Sequence, residues 1–167
     1  MTLVELLVAL ALIAALAGLL APAGRATLDE WRAWGWQREL ISGLDRARTR
    51  ARAYGEAVTL CGGEPATGCD PGGWGRGWFL ARDPEGVVRG GAPPDADAIL
   101  EQGRGGGAGA DVAAGFHVRR GVRFEPERWH VPNGTFTLCR SGEAVRGVVL
   151  SNVGRVRAGE GNSSDCP

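Results

Sequence analysis

The residues MTLVELLVALALIAALAGLL at positions 1–20 decide the reading of this chain. From Leu6 to Gly24 no charged residue occurs, a run about long enough to cross a bilayer as a helix. A secretory signal peptide carries basic residues ahead of its apolar core, whereas the only charge here is an acid, Glu5. A lone carboxylate at the edge of a lipid-soluble helix is costly and marks a function, with a partner expected. The plain alternative is a glutamate that reaches back to the headgroup layer. Pro22 and Gly24 interrupt the run, and a kink or local melting is expected there.

A second helical pattern follows from Thr27 to Tyr54. Leu28, Trp31, Trp34, Leu40, Ile41, Leu44, Ala47, Ala51 and Tyr54 recur at three- and four-residue intervals, so one face is apolar. Thr27 with Glu30 has the spacing of a capping box, which predicts a helix start at Thr27. Gly35 and Gly43 weaken the helix, and the opposite face carries Arg46, Arg48, Arg50 and Arg52, read as a solvated or intersubunit face. After Gly55 short β-prone runs alternate with Gly, Pro and Asp: Ala57–Cys61, Trp78–Arg82, Ala98–Glu101, Val122–Phe124, Gly134–Cys139 and Val145–Ser151. Gly103–Ala110 and Gly90–Pro94 read as surface loops with little structure of their own. The organisation expected is α+β. A hydrophobic transmembrane or filament-core helix at 1–26 precedes a globular head at 27–167. Within the head, 27–54 is the amphipathic helix half and 55–167 a β-rich region forming a small antiparallel sheet.

Composition narrows the function. The 167 residues hold 28 glycines, which favours turns over long regular elements, and the formal net charge is zero, which argues against a bulk polycationic nucleic-acid binder. Every basic residue is arginine; the plain reading is coding bias. The four cysteines, Cys61, Cys69, Cys139 and Cys166, fit two disulfides better than a zinc site, because no CxxC occurs and His117 and His130 lack ligand spacing. Three pairings are possible, and proximity in sequence favours Cys61–Cys69 with Cys139–Cys166.

The opening TLVELLVALALIAALAGLLAP at 2–22 resembles the mature N-terminus of type IV pilins and type II secretion pseudopilins. The resemblance implies single-pass insertion in a bacterial inner membrane with the head in the periplasm. Assembly with other pilins or pseudopilins into a filament follows, in which Glu5 pairs with a neighbour's N-terminal amine. It also implies that a prepilin peptidase, where a leader is present, cuts after a glycine and that the new first residue is methylated. That residue is usually Phe and here is Met1, so either the mature protein starts with methionine or the numbering begins at a start codon. The rest is similar to the GspH/FimT minor pilins and pseudopilins. The likeness is carried by ARTRA at Ala47–Ala51, VTLC at Val58–Cys61 with Cys69 nearby, and WGRGW at Trp74–Trp78. Further on it rests on GTFTLC at Gly134–Cys139, VVLSNVGRVR at Val148–Arg157, and Cys166.

No enzyme is expected, and no cofactor or metal. There is no defensible Ser/His/Asp team, and the cysteines are expected oxidised. The glycine run lacks the GK[ST] of a P-loop, and the acids are too scattered for a calcium loop. The remaining signal is Gly154-Arg155-Val156-Arg157. In an extended segment Arg155 and Arg157 project to one side and can grip phosphates through paired N–H donors, while Gly154 permits a sharp turn. In FimT-like minor pilins such a C-terminal GRxR is associated with binding double-stranded DNA for uptake in natural transformation. Between Arg119 and Arg157 eight arginines, Arg146 among them, stand against three acids. That surplus counts only if the arginines share a face. The expected role is a FimT-like minor pilin binding DNA non-specifically through Gly154, Arg155, Arg157 and Arg146. The alternative is a GspH-like pseudopilin or assembly-priming minor pilin with no DNA role and with Arg155 and Arg157 solvated or paired to acids such as Glu160 or Asp165.

Overall fold

The computed structural model describes the backbone of residues 2–107 and 110–167, and the side chains of these except at 16–26. It divides into two units, one ending at Arg32 and one spanning Ala33–Pro167. A single helix, α1 (Leu3–Tyr54), passes through both. Thr27 therefore lies inside a helix and does not begin one. The capping box that forms is at the other Thr-x-x-Glu, where the Glu5 N–H donates to Thr2 Oγ1 at 3.3 Å and the Thr2 N–H donates to Glu5 Oε2 at 3.4 Å.

In the first unit Leu3, Val4, Leu6, Leu7, Val8, Leu10, Leu12 and Ile13 are exposed. Among the described residues no helical stretch is long and apolar enough to cross a membrane. The expected span overlaps 16–26, so its second half lies outside the described side chains. The backbone is helical through Pro22 and Gly24, so the interruption expected there is not found. The role expected of Met1 lies outside the described residues.

The second unit is built on the last turns of α1. Ala33, Trp36, Leu40, Leu44, Ala47 and Ala51 are all at most 3% exposed. Their spacing of three and four residues stacks them on one stripe of the helix. Two antiparallel sheets supply the rest of the core. One has the order β3-β2-β1-β5, from β1 (Val58–Gly62), β2 (Gly77–Arg82), β3 (Ile99–Arg104) and β5 (Val122–Phe124). The other has the order β4-β6-β7-β8, from β4 (Ala110–Ala114), β6 (Gly134–Arg140), β7 (Glu143–Leu150) and β8 (Val156–Gly159). The helical stripe joins Leu60, Trp78 and Val122 of the first sheet and Phe136, Leu138, Val148 and Leu150 of the second in one buried cluster. Trp74 packs on Phe136 with ring centroids 4.6 Å apart and donates Nε1–H to the Arg119 carbonyl at 2.9 Å.

Hence the single sheet expected is two, and two strands, β4 and β8, lie outside the runs predicted from sequence. The glycine run is also not a loose loop where it is described. A Cβ on Gly105 would stand 2.0 Å from the Gly75 carbonyl oxygen, and the Gly106 N–H donates to that oxygen at 3.1 Å. The glycines there serve close backbone packing. Gly43, which weakens α1 on propensity alone, has a similar reason: its Cβ would lie 2.8 Å from the Trp78 ring.

The hairpin between β6 and β7 turns on Ser141 and Gly142, both at positive φ, the conformation that a two-residue type I′ turn requires. Disulfides join Cys61 to Cys69 and Cys139 to Cys166. The second lies beside a tail that covers one face of the second sheet, where a Cβ on Gly161 would meet Thr137 Cγ2 at 2.5 Å. Directly after the first disulfide comes Asp70. Its carboxyl is held below its ordinary pKa, first by the Gly72 N–H, which donates to Oδ1 at 2.9 Å, and then by the Arg76 guanidinium.

Replacing Phe136 by alanine removes the ring that Trp74 packs against and leaves a cavity between helix and sheet. The expected loss is about 3–5 kcal/mol of unfolding free energy in urea denaturation.

Candidate functional site

The predicted GRVR segment begins in the turn that links β7 to β8. Ser151 organises it. Its N–H donates to the Arg155 carbonyl at 3.0 Å, its carbonyl accepts the Gly154 N–H at 2.9 Å, and its Oγ accepts the Arg155 N–H at 3.1 Å. Gly154 is buried with φ +73°. Its carbonyl accepts from Arg48 Nη1 at 3.1 Å, so a side chain of α1 clamps the turn.

Past the turn, Val156 pairs with Leu150 and packs toward the core, while Arg155 and Arg157 on either side of it are exposed. Strand alternation thus turns Arg157 to the face opposite the core, beside Val149, its partner in the ladder. Neither arginine forms a side-chain ion pair among the described residues, and neither Glu160 nor Asp165 reaches them: Asp165 instead accepts from Thr137 Oγ1 at 3.5 Å.

Arg146 stands apart. It is half-buried and in phase with Val148 and Leu150, whose side chains enter the core, so the ladder puts it on the face opposite Arg157. The wider arginine surplus is divided in the same way. Arg123 and Arg128 share the Glu125 carboxylate, the latter at 2.9 Å, and Arg119 lies over the Phe116 ring at 4.7 Å. His117 and His130 are exposed.

The helical arginines form two pairs rather than one face. Arg46 is bound to Glu101, with Nε 2.9 Å from Oε2, and that hydrogen bond raises the guanidinium pKa further above its ordinary value. Arg50 pairs with Glu56 at 3.2 Å. Arg48 and Arg52, one turn apart, point the other way, Arg48 to Gly154 and Arg52 over the Trp129 ring at 4.7 Å. The signal that separates the pairs is present in the sequence. Positions 48 and 52 follow the buried Ala47 and Ala51 by one residue, and the i, i+4 interval puts them on one stripe.

Trp129 belongs to the segment between β5 and β6, which the Val131 N–H ties to the Asn152 carbonyl at 2.9 Å. Arg48, Arg52, Trp129, Val131, Val153 and Gly154 consequently line one small hollow beside the β7–β8 turn, together with Phe124, Arg128 and the Glu125 carboxylate that Arg123 and Arg128 share. The arrangement places two guanidinium groups and an exposed indole beside the turn, with the nearby Glu125 carboxylate already paired to Arg123 and Arg128. Among the described residues no group of three or more His, Cys, Asp or Glu side chains is placed to hold a metal.

A long helix carrying antiparallel sheets on its second half is the pilin fold. The family described as type II transport protein GspH matches the chain over residues 37–154, and the chain belongs to that family. Two crystal structures of the type IV minor pilin FimU of Pseudomonas aeruginosa PAO1 share the fold. The one in space group P21 has a TM-score of 0.58 at 20% identity, covering 81% of this chain and 92% of the crystallised FimU chain. The one in P65 has a TM-score of 0.56 at 20% identity, covering 80% and 96%. No curated protein matches the chain.

Gly154→Ala tests how the turn is held. A Cβ there must accept a positive φ and would stand 3.2 Å from Arg48 Nε. The expected outcome is a loss of about 1–2 kcal/mol in urea denaturation, from left-handed strain alone or with displacement of Arg48.

Proposed function

We propose that this chain is a minor pilin whose head binds double-stranded DNA without sequence preference, through Arg155 and Arg157, for uptake in natural transformation. The observation that carries this reading is the presentation of the GRVR segment. Two arginines stand exposed on either side of an inward valine, on a turn clamped by Arg48, with no acid paired to either among the described residues. Each guanidinium can take two phosphate oxygens, and phosphate contacts position a duplex without reading its bases. Arg48 supports the turn from α1 through its hydrogen bond to the Gly154 carbonyl. Arg146 is left out of it, because strand alternation turns it to the other face.

The N-terminal unit supplies assembly. In this reading the helix is held in the bacterial inner membrane, with the head in the periplasm, until it packs with other pilins in a filament. A prepilin peptidase acts on any leader. Glu5 is the assembly residue: in the isolated chain it caps its own helix through Thr2, and in the filament it turns to the N-terminal amine of a neighbour. Two opposite charges in a poorly screening medium attract strongly. The domain division expected from sequence, a helix at 1–26 and a head at 27–167, belongs to this proposal.

A second reading is favoured by the family's description as a type II transport protein. In it the chain is a pseudopilin with a structural role and no DNA contact.

A gel shift of the full chain in neutral detergent with duplex DNA at low salt separates the two. The DNA reading expects retardation that Arg155→Gln with Arg157→Gln abolishes at an unchanged urea midpoint. It also expects a salt dependence whose log–log slope is shallower by about 2 in any binding that remains. Retardation unchanged in the double variant would sink the assignment. Under the structural reading wild type does not retard DNA, Glu5→Ala blocks filament assembly, and the arginine changes are silent.

A further inference from the structure

Trp129 is 71% exposed, as Trp31 and Trp34 of α1 also are at 67% and 39%, whereas Trp36, Trp74 and Trp78 are at most 3% exposed in the core. An isolated surface tryptophan needs no explanation. This one is built in. The hydrogen bond from Val131 N–H to the Asn152 carbonyl fixes its segment against the β7–β8 turn. The Arg52 guanidinium lies over the indole at 4.7 Å, a cation–π contact that supports the ring from one side while most of its surface faces water. Val153, 49% exposed, extends the apolar patch, and Gly154 joins it directly to Arg155.

Arg52, like Arg155, forms no ion pair with an acid among the described residues. Beside the ring the Glu125 carboxylate is already shared by Arg123 and Arg128, which leaves Arg52 and Arg155 without an acid among the described residues. An exposed aromatic surface next to such arginines is the chemistry of single-stranded nucleic-acid binding: the cations track phosphates and the ring stacks a base. A duplex cannot use the ring in this way, because its bases are already stacked on one another and only its backbone is offered at the surface.

We propose that Trp129, supported by Arg52, is a stacking platform for an unpaired nucleobase of single-stranded DNA whose adjoining phosphates lie on Arg155 and Arg157. This rests on the reading that the GRVR turn holds DNA phosphate, and adds to it a preference for frayed ends and single strands.

Fluorescence anisotropy of the full chain in neutral detergent tests it, with a labelled oligothymidylate of about twenty nucleotides, longer than one site of this kind covers, and a duplex of equal length as probes. Trp129→Ala is expected to weaken oligothymidylate binding about 5- to 150-fold, from the range measured for one lost base–aromatic stack, and to leave duplex binding within about twofold. Trp129→Phe should retain most of the single-strand affinity. Arg155→Gln with Arg157→Gln should weaken both probes. The residue is exposed, so the urea midpoint should not move.

An equal effect of Trp129→Ala on both probes, or none on either, overturns the platform. If duplex binding persists and depends on the two arginines while the oligothymidylate ignores Trp129, the phosphate reading stands and the stacking falls. If neither probe binds wild type, the DNA reading itself falls, and the platform with it. A Trp129→Ala variant altered only in filament assembly assigns the indole to a neighbouring subunit and likewise overturns the proposal.

Discussion

The apolar stripe of α1 from Ala33 to Ala51 is the constraint on which the second unit depends. The two sheets are hydrogen-bonded within themselves, and the ladders of one do not continue into the other. What holds them together is a shared core, into which α1 inserts Trp36, Leu40 and Leu44 from one side. Each such side chain contributes roughly 1.5–3 kcal/mol when fully buried. Alanine at 47 and 51 lets the helix approach closely, and their burial fixes its rotation about its axis. That rotation aims Arg48 and Arg52, one position further on, at the β7–β8 turn. Gln37 adds a polar tie from the same helix, donating Nε2–H to the Gly147 carbonyl at 2.6 Å.

The architecture is readable where periodicity is strong. The burial of Leu40, Leu44, Ala47 and Ala51 and the strands β1, β2, β3, β5, β6 and β7 follow from apolar spacing and β-branched content. Leu28, Trp31, Trp34 and Tyr54, expected on the apolar face, are instead exposed, and Ala33 and Trp36 take core positions. β4 is hidden because its ADVAA is mostly alanine, a poor strand former, and follows a glycine run that reads as a loop. β8 is hidden because it is four residues at a sheet edge with one inward side chain, Val156. Thr27 misleads because a capping box is a local signal, and the helix through it does not end.

The candidate site is legible in part for a similar reason. Arg155 and Arg157 can be seen to share a side, since alternation is local. That Arg146 lies across the sheet from them needs the strand register, which a one-residue step inverts. The parts contributed by Arg48, Arg52 and Trp129 meet across long sequence separations and need the fold. Family membership fixes the architecture but leaves the chemistry to these few side chains.

The cations of the hollow, Arg48, Arg52 and Arg128, and those of the neighbouring turn and strand, Arg155 and Arg157, are all guanidiniums, and the whole chain contains no lysine. The positive charge there is therefore closed to the usual means of removal. Acetylation, carbamylation and amine-directed cross-linkers act on lysine ammonium groups and find none to modify. Whatever the surface holds, its charge is a fixed property of the sequence and not one that a lysine-modifying enzyme can tune.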